Sequence, residues 1–274
     1  VHLYLHIPFC HRVCPYCSFY KHTPGKTNLR SFVDGLLEEA HFFAQKDLPS
    51  LKTIYFGGGT PSMLSPTLLR TLFTGLRQTF DFSSIEEITL EANPATFTSR
   101  TAQFYQDLGV TRVSLGVQSF LGKHLETLGR EHSPMQAITS VHLLREASDL
   151  EVNIDLIFSI PSQSLLDWED TLTQALALQP EHLSAYNLTY EEDTAFFQKF
   201  QSGDYKDDPG LNAEMFSLSQ EILTTAGYEH YETSNYSLPG RRSRHNEGYW
   251  AGNDYLGLGP SAHSTLDRTR PHNV

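Results

Sequence analysis

Three cysteines, Cys10, Cys14 and Cys17, form a C-x3-C-x2-C run, and the sequence contains no others. An odd, clustered set is a poor disulfide framework, because such short loops strain most pairings and one thiol is left over. Three closely spaced thiolates instead suit an iron–sulfur cluster, in which three ligands for four irons leave one iron open to a cofactor or substrate. The alternative is a structural zinc site, which needs a fourth ligand such as His6 or His11.

A glycine-rich segment, Gly57–Pro61, directly follows a predicted strand that ends at Phe56. Glycines at the end of a strand let backbone amides approach a charged ligand closely, although a plain turn has the same composition. No Gly-Lys-Ser/Thr follows, which excludes a P-loop pattern. Ligand sites of α/β folds lie at the carboxyl ends of strands, so we expect this loop and the cysteine loop to share one pocket.

Polar residues lie at or near the ends of three later strands, at Glu91, Gln118 and Asp155. Asp155 is the most informative, because a carboxylate within an apolar strand needs hydrogen-bond partners or a ligand. Arg130 could form an ion pair with it or bind the carboxylate of a ligand. Each of these residues could also be a structural hydrogen bonder.

The segment Arg244–Trp250 places His245 among basic residues and before Tyr249 and Trp250. A histidine in this setting could ligate a metal or contact a flat apolar cofactor. The alternative is a surface loop with buried aromatic anchors.

Alternating strand and helix patterns must position these residues. Helical apolar spacing follows most of the strands, for example over 29–43, 65–79, 134–148 and 164–178, so the pattern predicts parallel βα units in an open sheet or part of a barrel. After about Tyr190 the rhythm changes to a polar loop, a helix over 211–226, a strand-like stretch and a Gly/Arg/Ser-rich segment. The six predicted strands are His2–Ile7, Lys52–Phe56, Glu87–Glu91, Arg112–Val117, Val152–Phe158 and His182–Leu188.

The composition is that of a globular protein, with 39% hydrophobic and 19% charged residues. A net charge of −12 disfavours capture of nucleic acid or an anionic membrane. No apolar run reaches the roughly 18 residues of a membrane span. Clustered cysteines without a disulfide pattern predict a reducing, cytoplasmic environment.

Taken together, the motifs resemble those of the HemW family, radical S-adenosylmethionine (SAM) heme chaperones related to the coproporphyrinogen III oxidase HemN. The resemblance runs from Tyr4 to about Ser264. The motifs that carry it are Tyr-Leu-His-Ile-Pro-Phe-Cys-x3-Cys-x-Tyr-Cys-Ser-Phe, Gly-Gly-Gly-Thr-Pro, Gly-Val-Gln-Ser-Phe and His-Asn-x-x-Tyr-Trp.

The resemblance implies an α/β fold, a partial (β/α)6 radical SAM barrel with a smaller C-terminal α+β extension. It places the radical SAM core domain at 1–195 and the start of the HemN/HemW-type C-terminal region at 196–274. Family members carry a further C-terminal domain, so we expect this chain to be truncated.

Site residues are also implied by the resemblance. Three cysteines, Cys10, Cys14 and Cys17, would ligate a [4Fe–4S] cluster, and SAM would fill the open position on the fourth iron. His245 would bind heme. The remaining matched residues would line the SAM pocket: Tyr4, Tyr16, Gly58, Gly59, Thr60, Glu91, Gln118, Arg130, Asp155 and Thr189.

The implied function is that of a heme chaperone that binds heme and transfers it to respiratory apo-proteins, with an electron donor for the cluster. Reduction of the cluster would cleave SAM to methionine and a 5′-deoxyadenosyl radical, but whether this family uses that step is left open and no catalytic residue is assigned. The alternative is oxygen-independent coproporphyrinogen III oxidation. Phe19 disfavours it, because the oxidase has a fourth cysteine at this position.

Overall fold

The structure is a computed structural model that describes residues 1–46, 50–94, 98–267 and 269–273. Six strands, each followed by helical structure, make up the first part of the chain, as the sequence predicts. The strands are β1 His2–Ile7, β2 Thr53–Gly58, β3 Glu87–Ala92, β4 Arg112–Gln118, β5 Glu151–Phe158 and β6 His182–Asn187. The helices are α1 Leu29–Ala44, α2 Pro66–Thr79, α3 Ser99–Asp107, α4 Gly122–Thr127, α5 Pro134–Ala147 and α6 Leu165–Ala177.

The later part of the chain adds three helices and three short strands. These are α7 Ala195–Gln201, α8 Pro209–Thr225, β7 Glu229–His230, β8 Asn235–Ser237, α9 Arg244–Trp250 and β9 Tyr255–Leu258. The helix predicted over 211–226 is confirmed as α8. The Gly/Arg/Ser-rich segment contains helix α9, which the sequence analysis did not predict.

All nine strands form one sheet in the order β7-β8-β6-β5-β4-β3-β2-β1-β9. All pairs of neighbours among β6, β5, β4, β3, β2, β1 and β9 are parallel. Strand β8 pairs antiparallel with both β6 and β7. Within the described residues β7 and β9 form the two edges, so the sheet is open. The expected α/β fold with a parallel sheet that does not close into a full barrel is therefore confirmed, and β9 adds a seventh parallel strand to the six expected.

Local sequence explains where the helices begin and which face they bury. Asn28 caps α1 through its side-chain oxygen, which accepts from the backbone amides of Arg30 and Ser31. The buried face of α1, with Val33 and Leu36, packs in the same core as the apolar residues of β1. Ser133 forms a capping box at the start of α5. Both α1 and α5 thus bury their apolar faces in the same core as the strands.

Residues after 195 complete both edges of this sheet, since β8 joins β6 and β9 joins β1. The predicted boundary at 195 stays a prediction. Across the described part of the chain, no helix combines the length and the apolar composition that crossing a bilayer requires.

Candidate functional site

A cavity of about 540 Å³ lies at the carboxyl ends of the parallel strands. This volume is in the range of cofactor-binding sites. The structure brings twelve of the fourteen predicted site residues to its lining, and Tyr4 and His245 are the two that do not reach it. The twelve are Cys10, Cys14, Tyr16, Cys17, Gly58, Gly59, Thr60, Glu91, Gln118, Arg130, Asp155 and Thr189.

The cysteine loop, residues 10–17, follows β1 and exposes three free thiols to the cavity. The Thr60 hydroxyl donates to Cys10 Sγ over 3.6 Å, and Arg130 Nη1 donates to Cys14 Sγ over the same distance. Burial raises the pKa of the Cys10 and Cys17 thiols. Bound metal cations deprotonate coordinating thiols outright, so these groups are suited to metal rather than to free thiolate chemistry.

The donor set fits an iron–sulfur cluster better than a single zinc ion. Among the described residues, no three His, Cys, Asp or Glu side chains are grouped as a single metal ion requires. In a four-iron cluster each thiolate binds a different iron, so three separated thiols satisfy it. Both ring nitrogens of His6 contact other groups, Tyr4 Oη at 3.0 Å and the Tyr20 carbonyl at 2.7 Å.

The glycine loop, residues 57–60, is joined by backbone hydrogen bonds to the end of β1 and to the short segment that leads into the cysteine loop. The amide of Gly59 donates to the Ile7 carbonyl and that of Thr60 donates to the Phe9 carbonyl, each over 2.8 Å. A Cβ on Gly59 would lie 2.7 Å from the Pro8 carbonyl carbon. Glycine is therefore required here by the contact between two loops. The expectation that these amides face a charged ligand is not met for Gly59 and Thr60.

Gly58 has a separate structural requirement. Its φ of +105° lies in the region that glycine tolerates, and a Cβ would approach the His6 ring to 2.5 Å. Its amide donates to Glu91 Oε2 over 3.2 Å. Gly58 thus fixes a cavity carboxylate instead of presenting a free amide.

Glu91 and Asp155 form an acidic pair in the cavity lining. Tyr55 donates its hydroxyl to Glu91 Oε1 over 2.9 Å. Burial, together with the nearby charge of Asp155, raises the pKa of Glu91 to about 7. Glu91 therefore changes between its acid and its carboxylate near neutral pH.

Asp155 is held by neutral donors. Ser114 Oγ donates to Asp155 Oδ2 and Asn153 Nδ2 donates to Oδ1, each over 2.8 Å. Burial raises the pKa of Asp155. The sequence left two roles open for Arg130, an ion pair with Asp155 or a contact with the carboxylate of a ligand. In the structure Arg130 donates Nη2 to the Gly116 carbonyl over 2.7 Å and Nη1 to Cys14.

Gln118, Tyr16 and Thr189 border the cavity from three different segments. Gln118 ends β4 at a bulge with φ of 69°, which turns its backbone out of the strand. Tyr16 packs near Phe196, with ring centroids 6.1 Å apart. The Thr189 hydroxyl donates to Glu191 over 3.0 Å.

Tyr4 lies beside the cavity residues without lining the cavity. Its ring stacks on that of Tyr55 with centroids 6.1 Å apart, and its hydroxyl contacts His6 Nδ1. Tyr4 therefore supports the Tyr55 side chain that donates to Glu91. Its predicted contact with SAM stays a prediction.

His245 lies on α9 at the opposite, amino end of the strands and is 1% exposed. Its Nδ1 contacts Thr53 Oγ1 at 2.7 Å and its Nε2 contacts Tyr249 Oη at 3.1 Å. Burial lowers its pKa to about 3, so the ring is neutral. Direct heme ligation requires one of these contacts to break, and it stays a prediction.

The arginines around His245 are paired with carboxylates. Arg241 pairs with Glu151, Arg242 with Glu229 and Glu247, and Arg244 with Glu86. Trp250 is 67% exposed, so it is not a core anchor.

The cavity lining also contains residues that the sequence pattern did not indicate, among them Tyr55 and Tyr186. Both lie inside predicted strands, where an aromatic residue has the same pattern as a core residue. One feature of the sequence could have indicated that Tyr186 lines the cavity. It lies two residues before Leu188, the predicted carboxyl end of β6, and ligand sites lie at such ends.

Comparison with known proteins shows the family to which this chain belongs. The model of the radical SAM superfamily matches residues 4–175. The heme chaperone HemW of Lactococcus lactis is 36% identical over 272 residues, which cover 99% of this chain and 71% of that protein. The Escherichia coli HemW is 40% identical over 266 residues, which cover 96% of this chain and 70% of that protein. The chain belongs to the HemW family.

Solved structures agree with the HemW assignment. The structure of E. coli coproporphyrinogen III oxidase, HemN, superposes with a TM-score of 0.83 at 25% identity and covers 96% of this chain and 64% of that one. The archaeal Elp3 of Methanocaldococcus infernus, at 18% identity and a TM-score of 0.56, shares the radical SAM fold alone. This HemW-family chain spans about seven tenths of the length of the two bacterial relatives.

Proposed function

We propose that the chain is a heme chaperone that binds a [4Fe–4S] cluster and SAM in the cavity and passes heme to acceptor proteins. The observation that carries this proposal is the convergence of three free thiols with residues of several strands on one cavity. The name of the bacterial relatives, heme chaperone HemW, supports the heme part. Cys10, Cys14 and Cys17 are the proposed ligands of the cluster.

The side chains around the thiols have definite tasks in this proposal. Arg130, half-buried and held by the Gly116 carbonyl, stabilises the thiolate of Cys14, and Thr60 does the same for Cys10. When bound, the cluster and SAM supply redox and radical chemistry that amino-acid side chains lack. Glu91 and Asp155 offer acceptor oxygens for the amino and hydroxyl groups of SAM.

Other proposed SAM contacts come from residues at the cavity wall. Gly58, Gly59 and Gln118 leave room for the ligand at the ends of β2 and β4. Tyr16 and Thr189, in the loops after β1 and β6, form further parts of the cavity wall. Tyr4 acts by supporting Tyr55.

The heme-transfer part names further partners. These are heme, respiratory apo-proteins as acceptors and an electron donor that reduces the cluster, in the cytoplasm. His245 is the proposed heme ligand, after opening of its contacts with Thr53 and Tyr249. In domain terms, 1–195 forms the radical SAM core and 196–274 begins the C-terminal region.

Coproporphyrinogen III oxidation is the second candidate, supported by the HemN superposition. At the position of the oxidase's extra cysteine this chain has Phe19, which is 67% exposed at the cavity mouth. A phenyl ring can neither ligate iron nor transfer a proton. We therefore rank the oxidase reaction second.

The deciding experiment is an anaerobic heme titration of the cluster-loaded chain, followed by mixing with an apo-cytochrome. We expect a shifted Soret band on binding and its transfer to the acceptor. The matched control is a Cys10→Ala, Cys14→Ala, Cys17→Ala variant, which separates cluster-dependent from cluster-independent transfer. Failure of the wild-type chain to bind heme contradicts the chaperone function, and SAM-dependent formation of protoporphyrinogen favours the oxidase.

A further inference from the structure

A chain of buried hydrogen bonds runs from the C-terminal segment to the cavity carboxylate Asp155. His182 Nδ1 contacts Asn153 Oδ1 at 2.6 Å, and Asn153 Nδ2 donates to Asp155 Oδ1 over 2.8 Å. On the other side, His182 Nε2 contacts Tyr231 Oη at 2.7 Å. His182 and Asn153 are 1% and 5% exposed, so these groups depend on one another for hydrogen bonding.

The direction of this chain is set by the carboxylate at its end. An Asp155 carboxylate only accepts, so Asn153 faces it with Nδ2 and presents its carbonyl oxygen to His182. Tyr231 already accepts from the amide of Ser243 over 3.3 Å and can donate its own proton to His182 Nε2. His182 must then carry its proton on Nδ1 and donate it to the Asn153 carbonyl oxygen. Every donor along the chain points toward Asp155.

The side-chain amide of Asn153 has two possible orientations, and only this one suits both Asp155 and His182. In the opposite orientation the amide nitrogen would face the protonated Nδ1 of His182, and the amide oxygen would face the carboxylate of Asp155. Both contacts would be repulsive. In the selected orientation Asn153 Nδ2 also lies 2.6 Å from Ser114 Oγ, the second donor to Asp155.

The imidazole stays neutral in this environment. Burial lowers the pKa of His182 well below its ordinary value, and the nearby Arg112 adds to the shift. A neutral ring has one donor and one acceptor nitrogen, as the direction of the chain requires.

We propose that His182 and Tyr231 are positioning residues that orient the Asp155 carboxylate for SAM through Asn153. The inference rests on the proposed SAM site, and it goes further by making the cavity depend on the segment after residue 195. Asp155 alone contacts the ligand in this arrangement, whereas His182 fixes the amide that donates to it.

A test without any ligand follows the carboxyl ¹³C resonance of Asp155 with pH, assigned with an Asp155→Asn variant. In His182→Leu the Asn153 carbonyl oxygen loses the donor that faces it, so Nδ2 is held less firmly toward Asp155. Since the hydrogen bond from Asn153 lowers the pKa of Asp155, the titration midpoint should rise. In His182→Asn the side-chain amide can replace the Nδ1 donor, and the midpoint should return toward that of the wild type. Unchanged midpoints in both variants would overturn the proposal.

A second measurement uses SAM itself on the cluster-loaded chain. We expect His182→Leu to weaken SAM binding about tenfold, because a buried acceptor of Asp155 loses its partner, and His182→Asn to recover most of the affinity. Tyr231→Phe should shift the ¹⁵N tautomer signals of His182 toward the Nε2-protonated form. The control is His124→Leu, which removes a buried imidazole on α4 that contacts Asp167 instead.

The outcomes separate this inference from the proposed function. If the wild-type chain binds no SAM, the SAM site is contradicted, while the carboxyl titration and the tautomer signals still decide the positioning role. If His182→Leu and His124→Leu lose thermal stability equally and both keep wild-type SAM affinity and Asp155 titration, His182 is only a core residue.

Discussion

Replacing Glu91 with Gln should stabilise the SAM-free chain at pH 8 and change its stability little at pH 5. Burial and the charge of Asp155 raise the pKa of Glu91 from 4.5 to about 7. Because the folded chain holds this proton more tightly than the unfolded chain, its contribution is fully present below the unfolded pKa. The contribution is lost as pH rises through the folded pKa.

The magnitude follows from the two pKa values. At pH 8 the wild-type chain has lost about 3 kcal/mol of this contribution, and at pH 5 only about 1 kcal/mol. Gln carries no charge and avoids both losses. Its amide can accept from only one of Tyr55 and Gly58, and the hydrogen bond lost is worth about 1 kcal/mol. The net gain is about 2 kcal/mol at pH 8 and close to zero at pH 5.

The assay is urea unfolding of cluster-free wild type and Glu91→Gln at both pH values, with Glu126→Gln on the exposed side of α4 as a control. The reasoning is refuted if the difference between wild type and Glu91→Gln is the same at pH 5 and pH 8. The variant should nevertheless bind SAM more weakly, because one acceptor of the proposed site is gone.

Three further predictions concern the cluster, the reaction and heme. Anaerobically prepared chain should carry about four irons with a broad brown absorbance, and Ala at Cys10, Cys14 or Cys17 should abolish it. A colourless chain with one tightly bound zinc would contradict this. Coproporphyrinogen III with SAM and a strong reductant should give no protoporphyrinogen, because Phe19 replaces the oxidase's cysteine; robust product formation would promote the oxidase. His245→Ala should lose the heme-induced Soret shift while keeping its cluster, and equal heme binding by the variant would place the heme site elsewhere.

The six parallel strands could be predicted because each is a continuous or alternating apolar run bounded by polar turns. The positions of the cavity residues followed from this, since parallel strands bring their carboxyl ends together. Helix α8 could be predicted for a similar reason, because its apolar residues follow helical spacing.

Elements held mainly by distant contacts could not be predicted. Helix α9 is seven residues long and contains Gly248, so propensity disfavours it. Its first turn is stabilised by Glu87 of β3, which accepts from the backbone amides of Arg244 and His245 over 2.9 and 3.2 Å. No local pattern around residue 245 contains this information.

The glycine loop shows a different limit of the sequence. Its composition is compatible with amides that bind a ligand and with a plain turn. In the structure two of those amides donate to Ile7 and Phe9 and a third donates to Glu91. The sequence alone does not distinguish a glycine that lets a ligand approach from a glycine that lets two backbone segments approach each other. Only the neighbouring atoms, such as the His6 ring beside Gly58, distinguish them.

The pairing of β1 with β9 has a consequence for synthesis. The first strand leaves the ribosome early, yet its outer edge has no partner until Tyr255–Leu258 has been made. At translation rates of about 5–20 residues per second, this interval is roughly 10–50 seconds. During that time an apolar strand with an unpaired edge directly precedes three cysteines that hold no cluster, a combination that favours aggregation and oxidation. Nascent chains should therefore need a chaperone that shields the first strand, and cluster insertion should follow release of the completed sheet.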